Sequence, residues 1–191
     1  MTYSRSRSLV ATVGLLAALG VSAQLMAGNE GNSNKRRRTF QAVLSGYQEV
    51  PAVSTGARGR FVARVDEFDD SIDFELTYDG IEGGTVAAAH IHVGQPSVNG
   101  GVSAFLCGGG GRPACPTPGT TLGAPVTGTI MPADVVGPTG AQQVTPGALG
   151  ELLAAMRAGV TYVNVHSQIS PGGEIRGRIR LASAGDDDDD D

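Results

Sequence analysis

Tryptophan is absent from the 191-residue chain, which has only two cysteines and three histidines, and aromatic residues make up 5% of it. No Gly-x-Ser-x-Gly motif presents a catalytic serine, and no glycine-rich loop opens a helix to hold a phosphate or a dinucleotide. The longest apolar run, residues 9–23, has 15 residues, fewer than the ~20 that a transmembrane helix requires. The sequence therefore gives no support to a hydrolase of known motif, a nucleotide-dependent enzyme or a membrane-spanning protein.

Residues 1–23 are predicted to form a signal peptide. Arg5 and Arg7 precede the apolar run, and Val-Ser-Ala at 21–23 supplies the small residues that signal peptidase requires. Cleavage is expected after Ala23, with Ala27 as a second candidate. A retained membrane anchor is the alternative. The prediction is a secreted or periplasmic protein that has no membrane span after cleavage.

Three segments follow the predicted signal peptide. Residues 24–38 form a polar linker with a basic cluster at 35–38, residues 39–182 form one domain, and residues 183–191 form a tail predicted to be disordered. The tail holds six of the 19 acidic residues, so the body of the chain is close to neutral. Because the body has neither a basic excess nor a platform of aromatic side chains, we expect no nucleic-acid partner.

Cys107 and Cys115 bracket the sequence Gly-Gly-Gly-Gly-Arg-Pro-Ala. In an exported protein, an even and closely spaced pair of cysteines indicates a disulfide bond. Such a short loop contributes about 2–3 kcal/mol to stability on the chain-entropy model. Metal binding by the two thiols is the weaker alternative, because no histidine lies near them in the sequence.

Most of the body alternates apolar and polar residues with the period of two that β-strands have. In residues 72–79 the apolar side chains face one way and the polar ones the other: Ile72, Phe74, Leu76 and Tyr78 against Asp73, Glu75, Thr77 and Asp79. Residues 174–181 repeat the pattern, with Ile175, Ile179 and Leu181 predicted to point inward and Glu174 and Arg176 outward. Many short segments of this kind predict an all-β fold, an antiparallel two-sheet Greek-key-like sandwich.

One short helix is predicted near residues 146–158. Thr145 is a candidate N-cap, Pro146 suits the first turn, and Gly159 suits the end of the helix. An apolar stripe recurs at helical spacing and is expected to pack on the core: Leu149, Leu152, Leu153 and Met156.

The three histidines are the candidate functional residues. In the segment Ala-His-Ile-His-Val, Ile91 and Val93 share one face of a strand, and His90 and His92 share the other. His166 lies on the polar face of residues 161–167. If the two strands are neighbours, the imidazoles converge on one outer patch. A His-x-His pair with a third histidine suits one copper or zinc ion.

Glu174 faces outward at the start of its strand and is a candidate fourth metal ligand, or a hydrogen-bond partner of a ligand. The alternative for all three histidines is an ordinary sheet surface with no cofactor. The sequence therefore leaves two hypotheses open, no cofactor or one copper or zinc ion.

Three segments, in order, resemble the CHRD (chordin-type) domain family: residues 40–59, 90–102 and 159–179, which include His90, His92 and His166. The resemblance covers about residues 39–181, and the cysteines also look like those of the family. It implies a secreted β-rich domain and no particular chemical activity. A fainter similarity links the His-x-His strand to copper-zinc superoxide dismutases, but three histidines are too few for that two-metal site.

We therefore expect an exported, non-enzymatic binding or structural protein of the periplasm, cell envelope or extracellular space, with a protein partner. The alternative is a mononuclear copper or zinc protein that uses the three-histidine site.

Overall fold

The structure is a computed structural model that describes residues 38–66, 68–117, 119 and 125–183. The predicted signal peptide, most of the predicted linker and the tail from residue 184 lie outside the described residues. Within the described ranges the chain forms nine strands and one α-helix: β1 Thr39–Ser45, β2 Arg58–Val65, β3 Ile72–Asp79, β4 Val86–Val93, β5 Gly101–Cys107, β6 Val126–Ile130, α1 Leu149–Arg157, β7 Thr161–Ser167, β8 Ile175–Arg178 and β9 Arg180–Leu181.

The strands pair antiparallel in the order β5-β4-β7-β8-β1-β2-β3-β6, with β9 paired to β1. The two end strands, β5 and β6, also approach each other, so the sheet is nearly closed. The predicted antiparallel β-fold with one short helix is confirmed. Two separate sheets are not confirmed, because hydrogen bonds join the described strands into one continuous path.

The apolar core lies inside this sheet. Phe61 of β2 is paired with Leu76 of β3, and both are fully buried, as the alternation of these strands predicts. Ile175 and Ile179 are buried as predicted, but Leu181 is 42% exposed. Leu181 lies opposite the buried Phe40, on the predicted face, but it stays partly exposed because it is the last residue of a two-residue strand that pairs only with β1.

Helix α1 packs the predicted apolar stripe on the core, and its four members are buried: Leu149, Leu152, Leu153 and Met156. The helix begins at Leu149, later than predicted, and Ala148 occupies the N-cap position without a side-chain hydrogen bond. Thr145 is not the cap; its backbone N–H instead donates to the Glu151 carboxylate at 2.6 Å. Gly159 ends the helix as predicted, with φ of +67°. No helix within the described ranges has the length and apolar character needed to cross a membrane.

The predicted disulfide is confirmed. Cys107 at the end of β5 is bonded to Cys115, with a Cα–Cα distance of 5.1 Å, which suits a disulfide. The turn between them needs glycine, since Gly108, Gly110 and Gly111 all have positive φ. The bond thus closes the glycine-rich turn onto the end of β5.

Candidate metal centre

The pairing of β4 with β7 brings the three histidines together. In this register His90 lies opposite Asn164, His92 opposite Tyr162 and Ala88 opposite His166, so all of these side chains share the outer face. Ala88 carries only a methyl group and leaves room beside His166. His90 Nδ1 consequently lies 3.1 Å from His166 Nε2.

The pairing of β4 with β5 is irregular at the histidines. The register shifts between Ala89 and His90 and again between Ile91 and His92, and the extra residues, Leu106 and Ser103, lie on β5. Strand β4 itself pairs regularly with β7 from Ala88 to Val93. Its alternation therefore places both histidines on one face, with ring centroids 5.4 Å apart.

One ligand atom from each histidine lies within 4.8 Å of the corresponding atoms of the other two. A tetrahedral metal with bonds of ~2.0–2.1 Å to nitrogen requires nitrogens about 3.3 Å apart. The 3.1 Å contact between His90 Nδ1 and His166 Nε2 is a hydrogen bond, and it is not a separation between ligand atoms if His90 binds through its Nε2. The cluster, defined as His90, His92 and His166, must therefore contract, and the hydrogen bond between His90 and His166 must break, before one ion can bind all three rings.

Backbone carbonyls fix the orientation of two of the rings. His92 Nδ1 is 3.1 Å from the Gly100 oxygen and His166 Nδ1 is 2.9 Å from the Pro171 oxygen. A carbonyl oxygen only accepts hydrogen bonds, so each Nδ1 must carry the proton and each Nε2 keeps its lone pair. This arrangement is typical of metal-binding histidines, whose second nitrogen is held by a protein acceptor.

His166 is half-buried, whereas His90 and His92 are buried, 9% and 6% exposed. The Nε2 atoms of both are buried without a hydrogen-bond partner among the described residues. Sequence analysis identified the correct face of both strands, and on that face His90 and His92 are buried instead of exposed. Two buried nitrogen atoms without partners are the unusual feature of the site.

The pKa values follow from this burial. Burial, with smaller effects of His166 and His92, lowers the pKa of His90 to about 3. Burial likewise lowers the pKa of His92 to about 4 and shifts the pKa of His166 downward. All three imidazoles are thus neutral at neutral pH, the form that binds metal.

Aromatic and cationic side chains surround the cluster. Phe105 meets His90 edge-on, with centroids 4.5 Å apart, and Tyr162 lies parallel to His92 at 4.7 Å. The Arg176 guanidinium lies over the Tyr162 ring, 3.4 Å from the ring centroid. Sequence reasoning missed Phe105 as a wall of the site. The alternation that placed His166 on the outer face also placed Tyr162 there, and this signal was sufficient to find it.

The family model of the CHRD domain matches residues 40–179. The chain belongs to the CHRD family. The match extends from within β1 to just beyond β8 and includes all three histidines and both cysteines. Comparisons with curated proteins and with solved structures found no match.

Glu174 of this CHRD domain is buried, but the structure does not bring it into the histidine cluster. Its carboxylate accepts hydrogen bonds from the Thr55 hydroxyl at 3.0 Å and from the backbone N–H groups of Glu82 at 2.8 Å and Gly83 at 3.0 Å. Burial tends to raise the pKa of Glu174, but these bonds and one with Ser167 outweigh it and lower the pKa. Glu174 therefore joins loops of the domain.

Arg176 makes no ion pair with Glu174. Its guanidinium instead donates to the Asn99 side chain at 3.2 Å and to the backbone oxygens of Val98 at 2.8 Å and Gln95 at 3.3 Å. These bonds hold residues 95–99 against the outer face of the CHRD domain. The loop that precedes Gly100, the hydrogen-bond partner of His92, is thereby attached to β8.

Glu49 is a second buried acid that sequence reasoning missed. It follows the short 3-10 turn Gly46–Gln48 and is 6% exposed. Its Oε2 accepts a hydrogen bond from Asn164 at 3.2 Å, while its Oε1 has no partner among the described residues. Burial raises the pKa of Glu49 to about 7, although Arg176 and Asn164 act in the opposite direction. Glu49 lies in a turn far from the histidines in the sequence, so no local pattern marks it.

Proposed function

We propose that this CHRD domain binds one copper or zinc ion through His90, His92 and His166, and that it does so as an exported, non-enzymatic protein. The observation that carries the proposal is the pair of buried Nε2 atoms without partners in a cluster of three neutral imidazoles. A buried polar atom without a partner is costly. A metal ion would satisfy these atoms.

The donor set favours copper or zinc. Imidazole nitrogen suits both ions, whereas calcium and magnesium prefer oxygen ligands, and no carboxylate belongs to this cluster among the described residues. Both cysteines of the chain are in the disulfide, so no thiolate is offered. Three protein ligands leave a coordination position for a further ligand.

Burial supports a non-enzymatic role. His90 and His92 are less than one-tenth exposed, so only the half-buried His166 gives solvent partial access to the cluster. Arg176 and Glu174 are both occupied in holding loops. We therefore assign no catalytic residue.

Export is supported by the signal-like residues 1–23 and by the disulfide, since disulfides persist mainly in oxidising compartments. The destination we propose is the periplasm, the cell envelope or the extracellular space. There the domain is also a candidate for binding a partner protein.

Metal titration followed by thermal unfolding tests the proposal. The metal-free chain is titrated separately with Cu²⁺ and Zn²⁺ beside a His90→Ala/His92→Ala double variant. A site specific to the native state raises stability by ~2.7 kcal/mol when free metal is a hundredfold above Kd. This increase should be lost in the double variant.

A matched control addresses the acidic tail, which could itself attract divalent cations. The six aspartates at 186–191 are replaced by asparagine in the full chain, and this variant should keep the whole metal-dependent increase. An increase that survives in the double variant but disappears in the asparagine variant would assign binding to the tail and refute the histidine site. No increase with either ion would also refute it.

A further inference from the structure

A groove of about 690 Å³ lies on the outer surface beside β1, on strands distinct from those that carry the histidine cluster. Its walls come from β1, β2, β8 and β9 and from the residues that follow β9. Three arginines line it, Arg60, Arg178 and Arg180, and no acidic side chain is among the lining residues that the structure describes. We call it the arginine groove.

Strand register explains why the arginines face each other. Val43 of β1 lies opposite Arg60 of β2, and Gln41 of β1 lies opposite Arg180 of β9. Directly paired side chains share one face of a sheet. Arg60 and Arg180 therefore flank the outer face of β1 from its two sides.

The charge of the groove differs from that of the neighbouring surface. On β2, Arg58 pairs with Asp79 at 3.1 Å and Arg64 with Glu75 at 3.5 Å. Arg178 instead donates to the backbone oxygen of Gly159 at 2.8 Å, and no described carboxylate forms an ion pair with Arg178 or Arg180. The groove is thus a concave site to which Arg178 and Arg180 contribute positive charge, next to a surface where Arg58 and Arg64 are paired with acids.

We propose that the arginine groove binds the chain's own six-aspartate segment, residues 186–191. Ser183, the last described residue, lines the groove, and only Ala184 and Gly185 separate it from the first aspartate. Three residue steps span at most about 11 Å, so the acidic segment begins within reach of the groove. Guanidinium groups bind carboxylates through paired charged hydrogen bonds.

Covalent attachment strengthens the expected contact. A short flexible connection gives a tethered segment an effective concentration of about millimolar. The contact should be weakened by salt, because exposed charges are screened beyond about 8 Å at physiological ionic strength. The tail would then occupy the groove in low salt. When higher salt releases the tail, the groove would be open to other carboxylate-rich ligands.

Fluorescence anisotropy with a labelled hexa-aspartate peptide tests this proposal. The peptide is titrated with the wild-type chain and with a full-length variant that carries asparagine at 186–191. Because the tail of the wild type competes in cis, we expect the asparagine variant to bind the peptide about tenfold more tightly. Adding Arg180→Gln to the asparagine variant should remove most of this binding, and high salt should do the same.

Arg58→Gln in the asparagine variant is the matched control, because Arg58 is an exposed β2 arginine outside the groove. It should leave peptide binding unchanged. Equal affinity of the wild type and the asparagine variant would overturn the proposal. Peptide binding that depends on the basic residues at 35–37 instead of Arg180 would also overturn it. Competition by the tail that increases with chain concentration would do so too, because that competition would come from a second copy.

Discussion

Two regions of the outer face differ although their sequence patterns are alike. On β3, Asp73 and Glu75 alternate with buried apolar residues and are exposed to water. On β4 and β7, His90, His92 and Asn164 alternate in the same way and are buried. The difference comes from the loops that cover the second region. Alternation determines which side of a sheet a residue is on, whereas loops determine whether that side meets solvent.

The largest expected loss of stability comes from removing the buried carboxylate of Glu174, and an exposed carboxylate serves as the comparison. Glu174→Ala leaves the buried N–H of Gly83, the N–H of Glu82 and the Thr55 hydroxyl without their acceptor. Each such loss costs about 1–3 kcal/mol when the donor is buried, so we expect the free energy of unfolding to fall by about 3 kcal/mol or more. Urea denaturation measures it.

Glu75→Ala is the matched control on the open region. Glu75 lies 3.5 Å from Arg64, and both side chains are more than half exposed, so its removal should change stability by less than about 1 kcal/mol. Similar losses for the two variants would break the distinction between the covered and the open regions.

The next effect concerns pH in metal-free protein. Unfolded histidines take up protons near pH ~6.5, whereas His90 and His92 in the folded domain have pKa values of about 3 and about 4. Between these limits the unfolded state binds more protons, so acidification destabilises the fold. The slope is at most about 1.4 kcal/mol per pH unit for each histidine.

Urea midpoints across this range should therefore fall more steeply for the wild type than for the His90→Ala/His92→Ala variant. The difference between the two curves isolates the histidines from the carboxylates, which both proteins share. Parallel curves would show that these histidines are protonated as readily in the fold as in water, and the covered region would then be open to solvent.

The smallest effect has the opposite sign. Glu49 has a folded pKa of about 7, above its ordinary value of 4.5, so the folded state binds the extra proton between these limits. Stability should thus decline as pH rises through this window, and Glu49→Gln should remove that decline. We expect the variant to gain about 1–3 kcal/mol relative to the wild type from about pH 5 to about pH 8.

Glu75→Gln is the matched control at an exposed carboxylate. Its stability relative to the wild type should not change over the same pH range. A Glu49→Gln variant that loses stability at high pH would show that ionised Glu49 is stabilised by Arg176, and burial would not be the dominant effect.

Local pattern predicted the strands well. The alternation from Ile72 to Asp79 matches β3, and Gly159 ends α1 as expected. It failed at Thr145, because Gly147 turns the chain at φ of +85° and the helix starts only at Leu149. The order of the strands depends on contacts between distant segments, which alternation does not encode, and the single continuous sheet was therefore not foreseen.

The candidate site was predicted in part for the same reason. The faces of His90, His92 and His166 follow from strand periodicity, but their convergence depends on the register of β4 against β7. The contacts of His92 with Gly100 and of His166 with Pro171 come from loops that strand periodicity does not place. Glu174 was predicted near the histidines because it shares their side of the sheet, yet donors from two loops engage its carboxylate instead.

The stacking of Tyr162 on His92 has a spectroscopic consequence. The chain has four tyrosines and no tryptophan, so its ultraviolet emission comes from tyrosine alone, and one of these rings lies 4.7 Å from an imidazole of the cluster. Paramagnetic Cu²⁺ quenches a neighbouring excited ring, whereas d¹⁰ Zn²⁺ has no unpaired electron. If the proposed site binds metal, tyrosine emission should therefore fall with Cu²⁺ and change little with Zn²⁺, without any added label.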